Sequence, residues 1–332
     1  MKKLLICLFC AALLLPAPAF AQRRTVIKLA ALVPENTPWG AVLNRMASDW
    51  YEVTNGEVEL VIYYNVKSNE ADVLRQLNLN QIQAAMLSTF GLKLIRPEIM
   101  TLSCPFLIRN NEELDLALNA VRPEIERGIN GRGYFTLAWS KVGWVRFFSK
   151  SPVFVPDDLK RQKLGTSETE PELMDAFRAM GYQMVPVALN QILVDLSGGK
   201  IDAVYQSPVT AGSLQIFGRA KNMASIQVAP FMGAIIMNQR AWRSVPDRYK
   251  DKLIEIAKKV EAELDQSVPA FEASLLRDYM DYGLVVNEVS PEQAQLWYAD
   301  VNRIMPSLVN SIFDKNMYDR IDALLRTHRG GR

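Results

Sequence analysis

Residues 246–282 read PDRYKDKLIEIAKKVEAELDQSVPAFEASLLRDYMDY and are followed by Gly283. Tyr249, Leu253, Ile256, Val260 and Leu264 recur every three or four positions, the period of one face of an α-helix. Pro246 stands at the first turn, where a missing N–H costs nothing, and Gly283 stands where a helix stops. At 1.5 Å per residue the stretch makes a helix of about 55 Å, nearly twice the diameter of a small domain. Such a helix crosses from one domain to another or bends at Pro269, which has no N–H for the ladder. We expect both; two separate helices meeting near Pro269 are the alternative.

Upstream, apolar runs alternate with helical ones. Val26–Val33 reads as a strand ending at Pro34. Thr37-Pro38 then supplies a cap and a first-turn proline for a helix carrying Trp39, Val42, Leu43, Met46, Trp50 and Val53, stopped by Asn55-Gly56. Strand Glu57–Tyr64, helix Glu70–Asn80 and strand Gln83–Leu87 follow. Two helical stretches (Asn111–Ala120 and Val121–Asn130) precede two β-prone ones (Tyr134–Ser140 and Trp144–Ser149). Beyond the connector Pro152–Leu159 come strands Lys163–Thr166, Gln183–Val187 and Ile201–Tyr205, interleaved with helices Pro171–Met180, Leu189–Ser197 and Val209–Phe217. Strands alternating with helices predict parallel sheets covered on both faces, here as two α/β domains. No internal repeat or low-complexity segment interrupts them.

The N-terminus predicts export. Lys2 and Lys3 precede an apolar run, Leu4–Leu15, and a small-x-small site at Ala19-Phe20-Ala21. The run is shorter than the ~20 apolar residues of a membrane span, so residues 1–21 are expected to be a signal peptide cleaved after Ala21. Cleavage removes two of the 38 Lys and Arg and none of the 36 Asp and Glu, which leaves a mature net charge of about zero. A neutral, mixed-sign surface argues against nucleic acid or an anionic membrane as partner. The 311 residues from 22 to 332 exceed what one hydrophobic core usually serves.

The composition also removes chemistries. The mature chain keeps one cysteine, Cys104, and so forms no internal disulfide. Its one histidine, His328, lies in a tail, THRGGR, expected to be disordered and without a role. That excludes Ser-His-Asp and Cys-His catalysis and His-rich zinc sites; no cofactor and no metal are expected. Gly198-Gly199-Lys200 is no phosphate loop, because Ile201 follows the lysine and the glycines precede the strand. Glu168 and Glu170 read as solvated loop carboxylates.

What remains is a set of strand ends, where ligands of open α/β sheets bind. They bring Asn36 with Trp39, Ser88-Thr89-Phe90, Trp139-Ser140, Gly165-Thr166-Ser167 and Tyr205-Gln206-Ser207. These are rings, hydroxyls and amides without a nucleophile–base pair, an inventory suited to binding without reaction. An exported α/β enzyme and a receptor for an ATP-driven importer are the competing functions.

With LVPENTPWG at 32–40, CPFLIRNNEEL at 104–114, FFSKSPVFVPDDLKRQKL at 147–164, GGKIDAVYQSP at 198–208 and MNQRAWRSVPDRYKDKL at 237–253, the chain resembles the periplasmic solute receptors of tripartite ATP-independent periplasmic (TRAP) transporters. The resemblance covers essentially the whole mature sequence. It implies the DctP-type, type II-like fold: two α/β domains, a ligand cleft between them and a long helix spanning both. The expected division is 22–144 plus 232–272 for domain I and 145–231 plus 273–332 for domain II. It also implies delivery of a small-molecule ligand to TRAP membrane subunits.

Two departures mark a divergent branch. Family members that bind organic acids carry an arginine where Gly165 stands, so the space here is expected to be open or filled by rings such as Trp144. Tyr205, Gln206 and Ser207 replace the family's acid-and-asparagine cluster, while Arg146 stands near a second family arginine. A largely apolar or mixed ligand is therefore expected. Some receptors of this branch work with a helical-repeat periplasmic partner, and the resemblance extends to that option.

Overall fold

The computed structural model describes residues 24–66, 69–167, 171–309 and 311–330; the expected signal peptide, Glu168 and Glu170 lie outside the described residues. The first lobe is built from β1 (Thr25–Ala30), α1 (Pro38–Val53), β2 (Val58–Tyr63), α2 (Glu70–Asn78), β3 (Ala84–Ser88), α3 (Thr89–Lys93) and α4 (Asn111–Gly131). α1 begins and ends as its sequence requires. The Thr37 hydroxyl accepts the Gly40 N–H, and the chain leaves through Asn55 and Gly56, both at positive φ. Asn111–Gly131 is one helix, not two, since no breaker separates Ala120 from Val121 and Pro123 is accommodated inside it.

β4 (Tyr134–Ser149) leads into the second lobe: α5 (Pro156–Lys160), β5 (Lys163–Ser167), α6 (Pro171–Ala179), β6 (Gln183–Val187), α7 (Ile192–Ser197), β7 (Ala203–Gln206), α8 (Pro208–Ser213) and β8 (Asn222–Ala224). The chain returns through β9 (Ala229–Asn238) and α9 (Gln239–Ser244) to α10 (Asp247–Asp281). β10 (Val285–Asn287), α11 (Pro291–Leu308) and α12 (Lys315–His328) complete it. The start of the expected tail belongs to a helix: Thr327 and His328 close α12, which packs on α4 through Arg320–Glu124 and Arg329–Glu113.

The two β-prone stretches around Lys141–Gly143 are one strand. β4 carries register shifts at Thr136/Ala138 and Lys141/Gly143, bulges that read as a gap in a local pattern. It pairs with β9 from Tyr134 to Val145, then with β7 from Arg146 and β8 from Phe148. The strand order is β2-β1-β3-β9-β4-β7-β5-β6, with β8 joining β4 to β10. The sheets are mixed, not parallel as expected: β9 runs antiparallel to β3 and β4, and β4 antiparallel to β7 and β8. β9 escaped the sequence reading because it is buried along nearly its whole length, so it shows no alternation, and Pro230 and Gly233 interrupt it.

α10 is continuous through Pro269 and serves both lobes. Tyr249, Leu253, Ile256, Val260, Leu264 and Val268 pack with α1 and the first sheet. Leu275, Leu276 and Tyr279 pack with α7, α8 and the second sheet, where the Tyr279 hydroxyl donates to the Pro208 carbonyl. On the opposite face a third core runs from Val73 and Leu114 of the first lobe to Phe177 and Trp297 beside the second.

Candidate ligand cleft

The register places the strand ends. Ser88 of β3 pairs with Gly233 of β9, which pairs with Ser140 of β4, so Ser88 and Ser140 stand level across three strands. From the other lobe, Gln206 at the end of β7 pairs with Arg146 of β4. The carboxyl ends of the two lobes therefore point at each other across residues 140–146 of one strand. Six residue steps at about 3.3 Å make this interval roughly 20 Å, the scale of a small-solute cleft.

Several expected wall residues turn inward. The Trp39 indole N–H donates to Ser140 Oγ at 2.9 Å, and its ring meets Phe271 edge-on. Trp139 Nε1 donates to Glu126 at 2.8 Å, and Trp144 Nε1 to Asn111 Oδ1 at 2.9 Å. All three rings are buried. Trp139 and Ser140 also border a cavity of about 190 Å³ at the first sheet's edge, where Lys141 ties Asp115 to Asp265.

The hydroxyls are mostly committed too. Ser88 caps α3 and donates its N–H and O–H to the Glu70 carboxylate at 2.6 and 2.7 Å. Burial raises the Glu70 pKa, and the bonds from Ser88 and Gly91 offset part of that. The Thr89 hydroxyl donates to the Met232 carbonyl, and Ser207 caps α8 through the Thr210 N–H. Asn36 is exposed in the turn after β1. Phe90 is 38% exposed and leans on Phe231 of β9, with centroids 5.9 Å apart. Phe231 was not anticipated: it lies near the amino end of β9, where the rule for carboxyl ends of strands does not look. In the second lobe Thr166 and Ser167 end β5, and half-buried Tyr205 packs on Phe147 beside half-buried Gln206.

Gly165 corrects one expectation. A Cβ there would stand 2.8 Å from Ile201 Cδ1 and 3.3 Å from Val187 Cγ2. The position is filled by aliphatic core; it is neither open nor covered by Trp144. Arg146 is 13% exposed and donates to the Ser225 carbonyl, with Nε 3.9 Å from the Glu272 carboxylate of α10. Burial lowers the Arg146 pKa, opposed by Glu272 and Glu288. Burial likewise raises that of Glu272, opposed by Arg146 and the Trp144 N–H. Gly143, at φ +122°, makes room for this pair: a Cβ would lie 2.3 Å from Glu272 Oε2.

The sequence profile of DctP, bacterial extracellular solute-binding protein family 7, matches residues 29–311. The chain belongs to this family. A solute-binding protein of Roseobacter denitrificans is 24% identical over 196 residues, 58% of this chain and 59% of that protein. The C4-dicarboxylate-binding periplasmic protein DctP of Rhodobacter capsulatus is 23% identical over 239 residues, 70% of this chain and 71% of its own length. The fold of this DctP-family chain is that of TRAP periplasmic solute-binding proteins. The one from Ochrobactrum anthropi superposes with a TM-score of 0.81 at 18% identity, covering 94% of this chain and 98% of that one. The one from Xanthobacter autotrophicus, with bound β-D-galacturonate, gives 0.76 at 20% identity, covering 90% and 99%. Among the described residues no helix is long and apolar enough to cross a membrane.

Proposed function

We propose that the protein captures a small solute between its two lobes, without transforming it, and delivers it to TRAP membrane subunits from the periplasm, after export and cleavage behind Ala21. The convergence of both sets of strand ends on residues 140–146 carries this reading. The closing bodies of this reading are 22–144 with 232–272 and 145–231 with 273–332, except that α12, which packs on α4, moves with the first. β4, β9 and α10 form the hinge, and a ligand favours closure only by contacts it gains there. A helical-repeat partner would add a component that co-purification reveals.

The ligand we propose is largely apolar or mixed. Phe90, Phe231 and Tyr205 offer ring surface, with Thr166, Gln206 and Asn36 as polar anchors, while Ser88 and Ser207 as helix caps and Thr89 through the Met232 carbonyl shape the floor. Two relatives are described with a dicarboxylate or a uronate, but here Gly165 is backed by Ile201 and Arg146 is engaged by Glu272. A carboxylate buried without a paired cation loses several kcal/mol to desolvation, whereas apolar surface gains about 25 cal/mol per Å². Calorimetry against dicarboxylates, sugar acids and hydrophobic metabolites tests this, with scattering to detect closure. We expect tight binding and compaction with a hydrophobic or mixed metabolite. Micromolar succinate binding, lost in Arg146→Ala protein that remains folded, would overturn the ligand class and leave the receptor reading standing.

A further inference from the structure

On the flank formed by α11, α12 and the loop before α4 lies a second cavity, of about 310 Å³. Its polar lining is Arg109, Arg326, Arg329, Asn302, Tyr318 and Asp322. None of these belongs to the strand ends that face residues 140–146.

The charges in this cavity do not balance. Arg326 Nε pairs with Asp322 at 2.8 Å. Arg329 bonds both oxygens of Glu113 and the Leu107 carbonyl. That leaves three guanidinium groups against two carboxylates. Arg109 lies over the Tyr298 ring, 3.8 Å from its centroid, and forms no ion pair among the described residues. Its Nε is out of water without a hydrogen-bond acceptor. Burial and then the Arg329 charge weaken its hold on a proton, opposed in part by Tyr298, Glu113 and Asp322, and a bound anion would relieve the remainder. Tyr318 is pushed up to about 12 by burial, then by Cys104 and Asp322, so its phenol remains a donor at neutral pH. The loop is fixed: the Phe106 N–H donates to the Val228 carbonyl at 2.7 Å, and its ring rests on Trp297 and Tyr298.

We propose that this cavity is a second binding site, for a small oxyanion: a carboxylate or phosphate group gripped by Arg109, with Asn302 and Tyr318 as flanking donors. A guanidinium presents two parallel N–H groups that match either anion, and the aromatic ring beneath holds that fork in place. The site stands whether or not the reading of the main cleft does.

Titrating the protein with inorganic phosphate and, separately, acetate at constant ionic strength tests it by calorimetry and thermal shift. A single oxyanion site of this exposure should show a Kd of about 1 mM for at least one of the two. Arg109→Gln should weaken binding at least tenfold. Asn302→Asp, which adds a negative charge and leaves the Arg109–Tyr298 stack in place, should do the same, while Gln206→Ala in the main cleft should leave the Kd unchanged. Preference for acetate or for phosphate then assigns the group. Absence of saturable heat with either anion up to about 10 mM would overturn the proposal. So would binding that survives both Arg109→Gln and Asn302→Asp.

Discussion

At the crossing of the lobes, Arg146 is held between β4 and α10 with Glu272 beside it and the Ser225 carbonyl at its tip. By the C-terminal helices, Arg109 lies on Tyr298 while the nearest carboxylates serve Arg329 and Arg326. The Arg146 side chain is almost wholly buried, while Arg109 is half-buried with its Nε out of water. In the first region the fold supplies a carboxylate 3.9 Å from the Arg146 Nε, which like that of Arg109 has no hydrogen-bond acceptor, and in the proposed reading this arginine serves the structure. In the second the fold stops one carboxylate short, and that deficit makes a surface feature into a candidate site. An arginine near a cleft is therefore weaker evidence for an anionic ligand than an arginine whose partners have been counted.

The largest effect should come from breaking the crossing pair. Glu272→Ala leaves Arg146 buried and unpaired and should cost about 3–5 kcal/mol by urea denaturation, whereas Arg146→Met with Glu272→Leu should fall near wild type or above it. A single variant within about 1 kcal/mol of wild type would show that water already reaches Arg146. Gly143→Ala should be next, at roughly 2 kcal/mol, from left-handed strain and the displaced Glu272 carboxylate. Its cost should shrink in the Glu272→Ala background, and a double-mutant cycle showing additivity would refute the coupling.

An effect of similar size sharpens the contrast through pH. Arg329→Ala should cost roughly 2 kcal/mol at pH 7 by removing charged hydrogen bonds to Glu113. Burial pushes the Glu113 carboxyl up, but bonds from Arg329 and the Arg109 N–H outweigh it and hold the pKa below the ordinary 4.5. That contribution is present above 4.5 and is lost as pH falls through the depressed value. Glu272 runs the other way. Its pKa is raised, so its contribution is full below 4.5 and is lost as pH rises through the raised value. Denaturation of Glu113→Gln and Glu272→Gln across pH 3–8 should show differences from wild type of opposite slope. Slopes of the same sign would break the comparison.

Much of the architecture was legible. The cap at Thr37, the stop at Asn55-Gly56, the long reach of α10 and the alternation that builds each lobe all appear in the residues themselves. The candidate site was legible as an address more than as a set of walls. Ser88 and Gln206 stand at facing strand ends, but Ser140 lies within the unbroken β4, and Trp39, Trp139 and Trp144 spend their indole N–H groups inside the protein. Phe231 and Glu272 were missed, one because it lies near the amino end of β9, the other because a glutamate on a helix looks solvated until its neighbours are known.

By itself the sequence determined what local physics controls. A 3.6-residue period sets a helix and its length, and proline and glycine set its ends. Tertiary structure decided which strands pair, that β4 runs unbroken from one lobe into the other, and that β9 returns antiparallel beside it. It also decided that Arg146 meets Glu272 while Arg109 meets no carboxylate of its own. These depend on groups as far apart in the chain as 146 and 272, or 113 and 329, whose approach leaves no periodic trace. Burial then decides whether a charge is neutralised or left over, and burial is a property of the packed molecule.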